Sequence, residues 1–309
     1  MLEKIILARH QGFCMGVKRA IKIAEETAET RTDDNQVTIL NEIVHNEAVV
    51  EKFRNAGVGQ VSSVKDVNDG TLIISAHGIS PDIVNTAEAK GLKVVDATCP
   101  LVSRIYDFIE KAIAKDYYII HFGDHHHDET AGVVGQAPDR ITVVATKEAM
   151  LELPEWKERK LGLTVQTTAH VDHFTEVEKL AKEKWPHIRV FNTVCNATTQ
   201  RQSAILELAP DVDMVLVVGS KTSANSNRLV DISIDACGRG RLIGSADDID
   251  PAWFANGENI KNVGISAGAS TPQFLVDGVI EKLEEISGGK AKVIRPAKSS
   301  APAETEPAA

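Results

Sequence analysis

The chain is 309 residues long, 43% hydrophobic and 25% charged, with a formal charge of -10 at neutral pH. That length and apolar content support a sizeable core split into two or three domains. The acidic balance, with no lysine or arginine cluster, excludes nucleic acid as a partner because phosphate backbones need a basic surface. No stretch reaches the roughly eighteen uncharged apolar residues of a membrane span. Met1-Leu2-Glu3-Lys4 leads into a strand rather than a secretory leader, so the expected setting is the cytosol with no membrane partner.

Taken in order, a strand over 4–9 runs into Gln11-Gly12-Phe13-Cys14 and then a helix over 17–28, with Val17, Ala20, Ile21 and Ala24 at helical spacing. A strand over 37–40 ends in Asn41-Glu42-Ile43-Val44-His45-Asn46, and one over 72–75 ends in Ala76-His77-Gly78. Ser80-Pro81 then reads as an N-cap with proline at the first helical position. An apolar run over 94–97 stops at Thr98-Cys99-Pro100 and restarts as a helix over 101–115. It is followed by a strand over 117–121 and a loop loaded with titratable groups, Asp124-His125-His126-His127-Asp128-Glu129.

A strand over 161–165 ends in Gln166-Thr167-Thr168, and a run over 190–194 delivers Cys195 before a helix over 199–208. The last part offers a strand over 214–218, the loop Gly219 to Asn227 with Ser223, Ala224 and Asn225, a strand over 263–266 ending at Ser270, and a helix that Thr271-Pro272 opens, to about 286.

Strand, cysteine, helix therefore recurs three times, at Cys14, Cys99 and Cys195. The expected organisation is three α/β lobes, over 1–97, 98–193 and 194–288, with a mostly disordered tail over 289–309 of Ala, Pro, Ser, Thr and Glu. Alternating strands and helices predict small, mainly parallel sheets covered by helices, with the functional loops at the carboxyl ends of the strands.

Four cysteines in this length are too few for a disulfide scaffold and are read as reduced. Zinc commonly takes local C-x2-C pairs, which are absent; three thiolates from three lobes could instead hold a 4Fe-4S cube with one open iron. Three ordinary buried thiols would give the same spacing. The other strand ends, His45, His77, His127, Glu129, Thr167, Ser223, Asn225 and Ser270, place imidazoles, hydroxyls and an amide beside helix N-termini, which suits an anion such as a phosphate. Cys237, before the glycine C-cap Gly238, reads as structural.

The motifs Gly12-Phe13-Cys14, Val44-His45-Asn46, Ser75-Ala76-His77-Gly78, Asp96-Ala97-Thr98-Cys99-Pro100, Gln166-Thr167-Thr168, Cys195-Asn196-Ala197-Thr198, Ser223 to Leu229 and Ala267-Gly268-Ala269-Ser270 together resemble the 4-hydroxy-3-methylbut-2-enyl diphosphate reductase family, from about residue 4 to 286. The resemblance implies an iron-sulfur oxidoreductase of the non-mevalonate isoprenoid pathway, its lobes forming a pseudo-threefold trefoil around a central cavity. It also implies one 4Fe-4S cluster on Cys14, Cys99 and Cys195 with an open iron for the substrate hydroxyl.

The allylic diphosphate would be held by His45, His77, Ser223, Ala224, Asn225 and Ser270, with His127 and Thr167 also contributing. Glu129, assisted by Thr167 and His127, would supply the proton, and a ferredoxin or flavodoxin the electrons. One position departs from the family: His127-Asp128-Glu129 stands where His-Pro-Glu is usual, which removes a φ restraint and adds a charge. His125 and His126 are read as solvated. Other readings are a non-catalytic iron-sulfur electron carrier or sensor, which would not need Glu129, and a phosphate-binding protein or zinc hydrolase built on the His125 to His127 loop.

Overall fold

The computed structural model describes residues 2–254 and 259–296. It divides into two compact units, Gly16–Asn196 and the chain on either side of that segment. The chain starts with β1 (Lys4–Leu7) and α1 (Met15–Ala28), whose buried Val17, Ala20, Ile21 and Ala24 form one helical stripe. There follow β2 (Val37–Leu40), α2 (Glu47–Asn55), β3 (Gly59–Val61), β4 (Thr71–Ile74), α3 (Pro81–Ala89) and β5 (Lys93–Asp96). The strands β2 to β5 form a sheet in the order β3-β2-β4-β5, every pair parallel. As expected, α3 has Ser80 at its N-cap and proline in its first turn, where a missing N–H costs no helical bond.

The second sheet is built from α4 (Pro100–Ile113), β6 (Tyr118–Phe122), α5 (Asp128–Gln136), β7 (Ile141–Val144), α6 (Lys147–Glu152), β8 (Leu161–Val165), α7 (Val171–Lys184) and β9 (Arg189–Val190), in the parallel order β7-β6-β8-β9. Burial on both faces explains its apolar strands. Ile120, Leu163 and Val165 pack with Phe174 and Trp185, whereas Ile119 packs with Ile105 and Ile109 of α4 and Val133 of α5.

The remaining elements are α8 (Asn196–Leu208), β10 (Met214–Val218), α9 (Ala224–Cys237), β11 (Gly240–Ile243), β12 (Asn262–Ala267), α10 (Gln273–Ile286) and β13 (Lys292–Ile294). Their sheet runs β11-β10-β12-β1-β13, all parallel. The architecture is therefore α/β with three small parallel sheets. In each sheet the connections run through helices, so the loops after the strands gather at the carboxyl edges.

Three expectations change. The strand at 4–9, assigned to the first lobe of 1–97, belongs to the last sheet: Ile5 and Leu7 join the core of Met214, Leu216, Val263 and Ile265, and β1 finds partners on both edges in β12 and β13. The segment 289–309 contributes β13, which packs Val293 on that core and pairs with β1; residues 297–309 lie outside the described residues. The run at 190–194 pairs only through Arg189 and Val190. Beyond them the Thr193 hydroxyl takes the Val165 N–H at 2.9 Å and donates to the Val165 carbonyl, replacing ladder bonds. Of the strands before the cysteines, β5 closes the first sheet and β9 the second, whereas β1 lies inside the last, between β12 and β13.

Candidate functional site

Within Gly16–Asn196 three histidines meet. His45 follows β2 through Asn41, which sits at φ 60, and precedes Asn46, whose side-chain oxygen accepts from Ala48 N and Val49 N to cap α2. Its Nδ1 lies 2.9 Å from Glu42 Oε2. His77 follows β4 in a turn completed by Gly78 at φ +74, where a Cβ would come 2.4 Å from the Tyr106 hydroxyl, so both the conformation and the space require glycine. The His45 and His77 rings stack at 4.1 Å between centroids, and His127 stands edge-on to them at 5.4 and 5.6 Å. Burial, then repulsion from the neighbouring imidazoles, pushes His77 well below its ordinary pKa and His127 to about 4. At neutral pH His77 and His127 are neutral, able to donate from one ring nitrogen and accept at the other.

His127 is also the N-cap of α5, where its Nδ1 accepts from Glu129 N at 3.1 Å. Two residues inside that helix Glu129 is 2% exposed. Its Oε1 accepts from Thr167 N at 2.7 Å and its Oε2 from Thr167 Oγ1 at 2.5 Å, just past the end of β8. Burial raises the carboxyl to about 7 against the opposing pull of the two Thr167 bonds. The Thr167 carbonyl in turn accepts from Cys195 N at 3.0 Å, so acid, threonine and cysteine backbone form one hydrogen-bonded line.

Each cysteine sits where a helix starts. Cys99 is the N-cap of α4 and donates its N–H to Ala76 O at 3.0 Å. Cys195 immediately precedes α8, and Cys14 precedes α1 with its N–H on Ala269 O at 3.1 Å. All are thiols and partly buried, as is Cys237, whose Sγ lies 3.2 Å from Ser233 O at the end of α9, with Gly238 as left-handed C-cap.

In the other unit, β10 and β12 pair side by side, which brings their carboxyl-end loops together. Ser223 caps α9, its Oγ accepting from Ser226 N at 3.3 Å. Asn225 is 4% exposed, and neither its Oδ1 nor its Nδ2 has a hydrogen-bond partner among the described residues. Ser270, also buried, follows β12, and Ala224 opens α9, half-buried. A buried amide costs about 1–3 kcal/mol when unpaired, so Asn225 as it stands costs the fold stability.

The structure thus brings His45, His77, His127, Glu129 and Thr167 together, with His125 and His126 exposed. Sequence reasoning missed Tyr106, whose hydroxyl donates to His77 O at 3.4 Å and whose own pKa is raised by burial and by Glu129. It also missed His121, fully buried with Nδ1 3.0 Å from Thr164 Oγ1. Nothing in the run Tyr118 to Phe122 sets that histidine apart from a strand residue. The contact of Asp128 with His77, 3.9 Å from Oδ2 to Nδ1, was also unforeseen.

Fold and side chains define an α/β protein with a cluster of three histidines, a buried carboxyl of raised pKa and three thiols at helix starts. The LytB protein family matches residues 5–284, and the chain belongs to it. The family is one of iron-sulfur oxidoreductases of isoprenoid biosynthesis. The chain is 38% identical to the 4-hydroxy-3-methylbut-2-enyl diphosphate reductase of Geobacter metallireducens, covering 93% of this chain and 99% of that one. It is 40% identical to the reductase of the same name from Wolbachia pipientis, over 91% of each.

Among solved structures, the E-1-hydroxy-2-methyl-but-2-enyl-4-diphosphate reductase from Plasmodium falciparum superposes with a TM-score of 0.91 at 30% identity, over 98% of this chain and 95% of that one. A second structure, described as (E)-4-hydroxy-3-methyl-but-2-enyl diphosphate reductase, the terminal enzyme of the non-mevalonate pathway, gives 0.64 at 36% identity, over 92% of this chain and 100% of that one. Among the described residues no helix is long and apolar enough to cross a membrane.

Proposed function

We propose that the chain reductively dehydroxylates (E)-4-hydroxy-3-methylbut-2-enyl diphosphate. Two electrons and two protons remove the allylic hydroxyl as water and leave isopentenyl or dimethylallyl diphosphate. Family membership supports the reaction class, and the buried Glu129 on Thr167 carries the reading at the level of residues. A carboxyl raised to about 7 is close to half protonated at neutral pH, which suits a general acid.

In this reading Cys14, Cys99 and Cys195 hold one 4Fe-4S cluster. Their chemistry fits: three soft donors, each at a helix start, with Cys237 engaged inside its own helix. When bound, the cluster supplies single electrons and a Lewis-acid iron at its open position. Everything else falls to the protein. His45, His77, Ser223, Ala224, Asn225 and Ser270 bind the diphosphate, the Asn225 amide gaining the partner it lacks. His127 lines the same site and orients the Glu129 backbone. The two Thr167 bonds fix the carboxyl, and Glu129 hands its proton to the departing hydroxide. A ferredoxin or flavodoxin in the cytosol delivers the electrons.

The test is iron and acid-labile sulfide per chain after anaerobic purification, then oxidation of a reduced dye on adding the allylic diphosphate. A cluster with substrate-dependent oxidation is expected. A cluster without turnover points to an electron carrier, and no iron even after reconstitution removes the three-cysteine assignment.

A further inference from the structure

Asp128 has no part in the proposed reaction, yet it stands beside the two stacked histidines. One ligand atom from each of His45, His77 and Asp128 lies within 4.8 Å of the others, and among the described residues no other such group of histidine, cysteine and carboxylate occurs. His77 Nδ1 lies 3.9 Å from Asp128 Oδ2. Behind His45, Glu42 Oε2 lies 2.9 Å from Nδ1. A carboxylate on the far nitrogen of an imidazole fixes its tautomer and aims the other nitrogen, the usual support of a metal-bound histidine.

We propose that His45, His77 and Asp128 form a site for a divalent cation of the zinc class, with Glu42 orienting His45. Two imidazole nitrogens and one carboxylate oxygen are a borderline donor set that suits zinc and its first-row neighbours, whereas magnesium and calcium ask for oxygen alone. Metal–ligand bonds of about 2.0–2.2 Å put tetrahedral donors about 3.4 Å apart, so no pair need close by more than about 1.4 Å, within reach of side-chain rotation. The side chains of His45, His77 and Asp128 are 15%, 14% and 31% exposed, which gives a cation a way in from solvent and leaves the fourth position to water. Asp128 completes the set. Resting on the reading that the diphosphate binds the same imidazoles, cation and diphosphate exclude one another.

The experiment uses cluster-loaded enzyme under anaerobic conditions, in a background with His125 and His126 changed to alanine to remove the exposed loop imidazoles. Zinc is titrated against a chromophoric chelator, with iron and sulfide measured before and after so that uptake at cysteines is read separately. One zinc per chain without iron loss is expected, weakened tenfold or more by Asp128→Asn and by Asp128→Pro, and about tenfold by Glu42→Gln. Added inorganic pyrophosphate should raise the apparent zinc Kd beyond what its chelation of zinc in free solution accounts for. No such site, or one indifferent to Asp128→Asn, overturns the proposal. A site lost in Asp128→Asn whose affinity for free zinc is unchanged by pyrophosphate keeps the metal assignment, and overturns the exclusion together with the placing of diphosphate on these imidazoles.

Discussion

The starts of α5 and α9 are built alike and left in opposite states. In both, a strand ends in a loop, a side chain caps the helix, and a polar residue two positions beyond the cap is buried: Glu129 after His127, Asn225 after Ser223. Glu129 is bonded at both oxygens by Thr167, whereas Asn225 is bonded at neither atom among the described residues. A buried polar group satisfied by the protein has its pKa and orientation set by the protein; one left unsatisfied is set by what binds. In the proposed function the first arrangement holds a proton and the second an anion.

The largest expected break of this contrast is Glu129→Gln, which keeps the shape and the Thr167 N–H bond but carries no proton. Turnover should fall about 10²–10⁴-fold with little change in KM; full turnover would end the proton-donor assignment. Asn225→Ala should act on binding, raising KM for the diphosphate and lowering kcat/KM about ten- to a hundredfold, the loss of a hydrogen bond to a charged group. Because the amide has no partner to desert, Tm should hold or rise slightly. A clear drop in Tm would mean that Asn225 serves the fold.

Thr167→Val reverses that pattern. It strips a hydroxyl from a buried carboxyl, at about 1–3 kcal/mol of stability by denaturant titration. Since that bond pulls the carboxyl down, its removal moves the Glu129 pKa above 7, and the alkaline limb of the kcat profile should move up with it.

The smallest effect is in stability against pH. Glu129 is raised to about 7 from 4.5, so its contribution is present below 4.5 and lost as pH rises through 7. His127 is lowered to about 4 from 6.5, so its contribution is present above 6.5 and lost as pH falls through 4. Across the shared window the two slopes oppose. The Tm of the wild type should stay flatter between pH 6.5 and 4.5 than that of Glu129→Gln, which keeps only the histidine slope. Equal slopes would show that the carboxyl is not raised.

Much of this was legible in the chain because strand ends and helix starts are local. Ser80-Pro81, Gly238 and the burial stripe of α1 follow from propensity and period alone. Pairing partners are not local. Lys4-Ile5-Ile6-Leu7 says that it is a strand, but not that its neighbours are Asn262–Ala267 and Lys292–Ile294. Val293 and Ile294 were lost to the tail because the glycines before them end a helix as well as they begin a disordered segment. Thr193 shortened a strand through its side chain, which no strand propensity reports. Glu129 stood out by type and position, yet its raised pKa depends on burial and on Thr167, thirty-eight residues away.

The place of β1 bears on how the protein is made. It lies between β12 and β13, and the N–H of Cys14 rests on the carbonyl of Ala269. β1 is thus made long before its neighbours β12 and β13, and Cys14 gains its anchoring only once Ala269 has been synthesised. By then the Gly16–Asn196 unit already holds every strand of its own two sheets. Any step that needs Cys14 in place follows the synthesis of Ala269.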